Sequence, residues 1–138
     1  MELLHPINYL AVLICGIIAM GMGALYYSPL LLGKIWLATI DTPEEELKKG
    51  FSPVKVFGIA FLSHLVMAYM LARLLGYTGA ATPEEGIRIA FMIWLGFIAT
   101  TMIINLQFQR KSMTQFFIDS GYHFLVLIIN GFILGLWL

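Results

Sequence analysis

Four apolar runs, each at least about 20 residues long and almost free of charge, take up most of this 138-residue chain. A hydrocarbon core about 30 Å thick needs about 20 helical residues to cross it. The runs therefore predict four membrane-spanning helices, over about 6–27, 53–75, 83–109 and 113–137. No segment alternates polar and apolar residues, so no strand reading competes. Hydrophobic residues make up 60% of the chain and charged ones 12%, against roughly 45–50% and about 25% in soluble domains. Mean hydropathy is +0.89. A water-soluble core could not absorb that much apolar surface, so the surplus is expected to face lipid. The predicted fold class is an all-α integral membrane protein, a single four-helix domain over 1–138 built as two hairpins.

Local signals mark the helix starts. His5-Pro6 opens the first run, with Pro where its missing N–H does no harm. Ser28-Pro29 restarts the chain, and Leu30, Leu31, Leu32, Lys34, Ile35 and Trp36 predict a short interfacial amphipathic helix at about 29–40. Thr42-Pro43-Glu44-Glu45 has the form of a capping box for a second short helix at about 43–49, ending at Gly50. Ser52-Pro53 opens the second span, which is expected to stop before Gly76. Thr82-Pro83-Glu84-Glu85 is a second box ahead of the third span, and Ser112-Met113-Thr114-Gln115 a third ahead of the fourth.

Charge predicts orientation. Lys34, Lys48, Lys49, Lys55, Arg110 and Lys111 follow the first and third spans, whereas Arg73 and Arg88 lie at the other end. The positive-inside rule places the first group in the cytoplasm and both termini on the non-cytoplasmic side. Tyr26, Tyr27 and Trp36 would mark the inner interface, and Tyr9, Tyr77 and Trp137 the outer one. The start Met1-Glu2-Leu3-Leu4-His5 has no basic n-region, so the first span is expected to remain in the mature protein. A bacterial or archaeal plasma membrane is the expected location. With zero formal net charge and no basic stripe, nucleic acid is not expected as a partner. The 43–49 helix is a candidate docking point for a soluble or membrane partner.

Ionisable residues inside a span are expensive, which makes them candidates for function. Asp119 stands six residues past Met113, roughly 9 Å into the fourth span. His123 is four residues on, on the same face, where the two can pair, and Asn130 continues that face. His64, roughly 16 Å into the second span, matches His123 in depth. Asn105, with Thr100 and Thr101 on the third span, lies near the depth of Asp119 and is expected to join it. Two histidines on different helices suit proton relay, axial haem ligation or metal binding. No sequential metal motif occurs, so no metal or haem cofactor is predicted, and His64 and His123 are the only pair that would hold one. No nucleophile–base–orienter set, phosphate loop or paired carboxylate argues for an enzyme.

Ala11, Cys15, Ala19 and Gly23 form a ladder of small residues four apart, and Gly131 and Gly135 a GxxxG pair. Such faces let membrane helices approach closely, within one bundle or between subunits, and a homodimer is expected. The lone Cys15 can form no intrachain disulfide. Ser63-His64-Leu65-Val66 and Tyr122-His123-Phe124-Leu125 occupy comparable places in the two hairpins, and Gly16-Ile17-Ile18-Ala19 matches Gly96-Phe97-Ile98-Ala99, which would suit an internal repeat.

The segments Ile7–Leu13 and Gly23–Trp36, centred on Tyr27-Ser28-Pro29, together with Ile118-Asp119-Ser120-Gly121-Tyr122-His123, resemble the small four-helix membrane proteins of domain of unknown function 1761. In that family Trp often stands at the place of Tyr26 and Phe at that of Leu32, both conservative departures. The resemblance implies a four-span fold and no activity. Three functions stand as expectations: an oligomeric transport or permeation protein using the Asp119, His123 and His64 face; an accessory or structural subunit in which those residues only join helices; and a haem- or metal-binding membrane protein.

Overall fold

The computed structural model describes residues 1–40 and 42–137, with the side chain of Glu44 also outside the description. Its helices are α1 (Tyr9–Tyr26), α2 (Gly33–Ala38), α3 (Glu44–Lys48), α4 (Pro53–Thr78), α5 (Pro83–Ile93), a π-helical segment (Trp94–Ala99), α6 (Thr100–Phe108) and α7 (Met113–Leu136). Four helices are long and apolar enough to cross a membrane: α1, α4, the continuous Pro83–Phe108 and α7. No strand occurs among the described residues.

Capping residues decide where each span begins. The first starts at Tyr9, later than expected, because the Asn8 side chain accepts from the Ala11 N–H at 3.1 Å. Ser52 caps α4, and Thr82 forms the full reciprocal box with Glu85. Ser112 caps α7, but the Gln115 side-chain oxygen that would complete the box is buried without a partner. The Thr42 box does not form: Pro43 occupies the cap position of α3, with extended backbone and no side-chain cap. Of the interfacial helix expected at 29–40, only Gly33–Ala38 is helical. A Cβ at Gly33 would run into the Tyr27 and Ser28 backbone, so the chain doubles back tightly there. The second span continues through Gly76 to Thr78, and Gly79 ends it with φ +74°.

The third span carries the main departure from a regular helix. Across Trp94–Ala99 it is π-helical, and one extra residue per turn swings the downstream helix α6 by about 100°.

First and second spans pack as one hairpin, third and fourth as the other, and the fourth touches all three neighbours. Buried residues make up 44% of its apolar window, against 17% in the second and third spans. Between third and fourth spans the backbones nearly touch. A Cβ at Gly131 would strike the Gly86 carbonyl, one at Gly86 the Gly131 carbonyl, and one at Gly135 the Thr82 carbonyl. Gly86 and Ala90, four apart, thus both face Gly131, while Gly135 lies against the Thr82–Pro83 start of the third span. Ala11, Cys15 and Ala19 are fully buried inside the protomer. Ala11 and Cys15 share a cluster with Ala68, Leu71, Ala72 and Leu127, and Ala19 packs with Tyr122 and Val126. The repeat does not extend to the odd spans: Gly16 packs on Leu65, whereas Gly96 is exposed in the π segment. Val54, Leu62, Phe97 and Phe108 project from the outer surface, an apolar face suited to lipid.

Gly86→Ala and Gly131→Ala should each cost about 1–3 kcal/mol through backbone overlap. Gly21→Ala and Gly58→Ala, where a new Cβ meets nothing within 4 Å, should be neutral or stabilising by up to about 1 kcal/mol. Thermal melts in mild detergent separate the two groups; equal effects would contradict the packing described.

Candidate functional site

Two tyrosines clasp the first and fourth spans reciprocally. The Tyr122 hydroxyl donates to the Ala19 carbonyl at 2.6 Å, and the Tyr26 hydroxyl donates to the Ile118 carbonyl at 2.6 Å. A glycine admits each one. A Cβ at Gly23 would lie 2.8 Å from the Tyr122 hydroxyl oxygen, and one at Gly121 would lie 2.9 Å from that of Tyr26. Gly23 therefore serves the small-residue face by opening a carbonyl to a side chain.

Tyr122 also fixes the state of His64. Its hydroxyl oxygen lies 3.1 Å from His64 Nε2. A carbonyl only accepts, so the single Tyr122 proton goes to Ala19 and His64 Nε2 must donate to the tyrosine oxygen. His64 Nδ1 is then a bare lone pair, buried and without a partner. His123 lies opposite, with ring centroids 6.4 Å apart, and its Nδ1 is also buried and unpartnered. The matched depth read from sequence does bring the two histidines together.

Asp119 is half-buried and accepts a hydrogen bond at 2.7 Å from Tyr27, just past the end of the first span. This takes the place of the Asp119–His123 pair expected from their spacing; His123 Nδ1 is left without a partner. Burial, then the hydrogen bond to Asp119, then the charge of Asp119 raise the Tyr27 pKa well above its usual 10.0. Tyr26, Tyr27, Trp36 and Tyr122 form a continuous aromatic wall, with neighbouring centroids 5.1–5.8 Å apart, leading from this end to the histidines. Tyr26 and Tyr27, expected as belt residues, turn their hydroxyls inward.

Two predicted members stand apart. Asn130 is buried, with its Nδ2 unpartnered, about two helical turns beyond His123. Asn105 is exposed on the third span. Its depth fits, but the π segment upstream rotates α6 out of the phase a regular helix would keep. The same segment starts at Trp94, whose indole N–H donates to the Ser120 carbonyl at 2.8 Å, beside Asp119 in sequence. Tyr122 and Trp94 were missed as site residues. The available signal was a hydroxyl one helical turn past Asp119, on the buried side. Among the described residues, no three His, Cys, Asp or Glu side chains gather to hold a metal ion. Cys15 is buried in the apolar core.

The model of a protein family of unknown function, DUF1761, matches residues 10–135, nearly the whole chain. The chain belongs to this family. No curated protein and no solved structure matches it. In this DUF1761 member the matched region takes in the second and third apolar helices whole, all but Tyr9 of the first and all but Leu136 of the fourth, and every residue of the tyrosine–histidine–aspartate site.

The Tyr27–Asp119 contact carries a pH signature. Below about pH 10 Tyr27 is protonated whether folded or unfolded. Above it, the unfolded tyrosine ionises while the folded one resists, so stability falls as pH rises. Tyr27→Phe should flatten the alkaline side of a melting-temperature profile. An unchanged slope would count against the buried hydrogen bond. Separately, Tyr122→Phe leaves His64 with two unsatisfied ring nitrogens and should cost about 1–3 kcal/mol.

Proposed function

We propose that this DUF1761 protein is a multi-pass membrane protein that moves protons, alone or with a small solute, through the Asp119, His123 and His64 site. The observation that carries the reading is the facing pair of histidines from different spans, each with a buried, unpartnered Nδ1. An unsatisfied ring nitrogen in an apolar surround is costly as pure glue. As a proton acceptor it has a use: His64 Nδ1 takes a proton, His123 Nδ1 is the next acceptor, and Asp119 lies one helical turn beyond, toward the Tyr27 end. A homodimer would supply the additional interior that four helices lack. The excess of basic residues beside Tyr27 supports a cytoplasmic position for that end, with both termini outside.

A second reading, an accessory subunit whose polar residues only join helices, is favoured by the reciprocal tyrosine clasp, which is complete without any ligand. Proteoliposomes carrying a pH-sensitive dye distinguish the two. On the transport reading, Asp119→Asn and His64→Gln abolish proton flux while helicity and oligomeric mass survive. Flux absent from the wild type, with the same variants only lowering the melting temperature, supports the accessory reading.

A further inference from the structure

A groove of about 350 Å³ opens sideways between first and second spans, lined by Tyr9, Val12, Leu13, Leu65, Val66 and Tyr69. Its floor is aliphatic, and the stacked rings of Tyr9 and Tyr69, 6.3 Å apart, close one end. Arg73 stands one helical turn beyond Tyr69. Its guanidinium donates to the Tyr69 hydroxyl at 2.9 Å and, through Nε at 3.0 Å and a second nitrogen, to that of Tyr77. Both rings lie against the guanidinium, with centroids 5.7 and 5.2 Å away, and hold its plane in place.

The donor count defines what this end can receive. A guanidinium has five N–H groups, and three are used on the tyrosines. Two remain, and each tyrosine oxygen, already accepting from arginine, keeps its own proton to donate outward. The cluster thus offers four donors and a positive charge, with no carboxylate beside Arg73 among the described residues. At the same end Arg88 is neutralised by Glu84 at 2.9 Å, and the Glu85 carboxylate serves the Ala81 and Thr82 N–H groups. Val66 to Arg73 spans about 10 Å along the helix, so the apolar slot lies toward mid-membrane and the charge toward the surface.

We propose that this groove and the Arg73–Tyr69–Tyr77 cluster bind one anionic phospholipid, its acyl chain along Val12, Leu13, Leu65 and Val66 and its phosphate on the guanidinium and hydroxyls. The inference shares only membrane insertion with the transport reading, and it stands if proton flux is absent.

Native mass spectrometry of the detergent-extracted protein, titrated with phosphatidylglycerol or phosphatidylcholine of identical chains, tests it. The wild type should keep one phosphatidylglycerol at collision energies that strip phosphatidylcholine. Arg73→Gln should weaken that adduct roughly tenfold, the scale of one charge-assisted contact. Arg88→Gln should leave it unchanged. Leu13→Trp fills the groove and should remove the adduct with Arg73 intact, a check that holds if Arg73→Gln does not fold. Equal retention of both lipids, an adduct indifferent to Arg73→Gln and Leu13→Trp, or a protein dimer in place of the adduct overturns the proposal.

Discussion

The reciprocal clasp of Tyr122 on the Ala19 carbonyl and Tyr26 on the Ile118 carbonyl is the interaction on which the rest of the bundle is arranged. Between helices surrounded by hydrocarbon, burial of apolar surface drives little, since lipid tails are as apolar as leucine. Close packing and interhelical hydrogen bonds must do that work. Each clasp needs a hydroxyl on one helix and a glycine on the other, so Gly23 and Gly121 matter as much as the tyrosines. Once Tyr122 is spent on Ala19, its oxygen orients His64, and His64 is set opposite His123. Helix packing and site chemistry thus share one hydroxyl.

The fourth span is the common partner, and it meets its neighbours by different means. It joins the first through tyrosines and carbonyls, and the second through His64. It meets the third by backbone proximity at Gly131 and Gly135, reinforced by the Trp94 indole on the Ser120 carbonyl. Gly86 and Ala90 make their contacts in the regular α5, upstream of the π segment, and the indole that bonds Ser120 belongs to the first residue of that segment. The tyrosine, His64 and Trp94 contacts lie within about a turn of Asp119 and His123, whereas the glycine contacts at Gly131 and Gly135 lie about two to three turns beyond His123, nearer the other end of the bundle.

Length and hydropathy made the four spans legible, and Ser52, Thr82 and Ser112 fixed three of their starts. The Ala11, Cys15 and Ala19 ladder was readable because only small residues recur at that spacing. Depth was also readable, which is why His64 and His123 were matched. Azimuth was not: a helix apolar on nearly every side carries no periodic signal of which face turns inward. Asn105 failed for that reason, compounded by a π turn that no residue in Trp94–Ala99 announces. Tyr27 failed differently. It looked like an interfacial aromatic, and the sharp reversal at Ser28 and Gly33, which turns it onto Asp119, depends on backbone contacts invisible in sequence.

That the facing histidines form a working proton site is the central claim, and the rings themselves can report on it. Solid-state nitrogen-15 spectra of histidine-labelled protein in bilayers distinguish neutral tautomers from imidazolium. At high pH, His64 should show a protonated Nε2 and a bare Nδ1, as the Tyr122 geometry requires. Lowering the bulk pH should convert one ring of the pair to imidazolium, with His64→Gln removing the coupled change at His123. Two rings that stay neutral at every pH at which the protein remains folded would contradict the account and leave the cluster as structural glue.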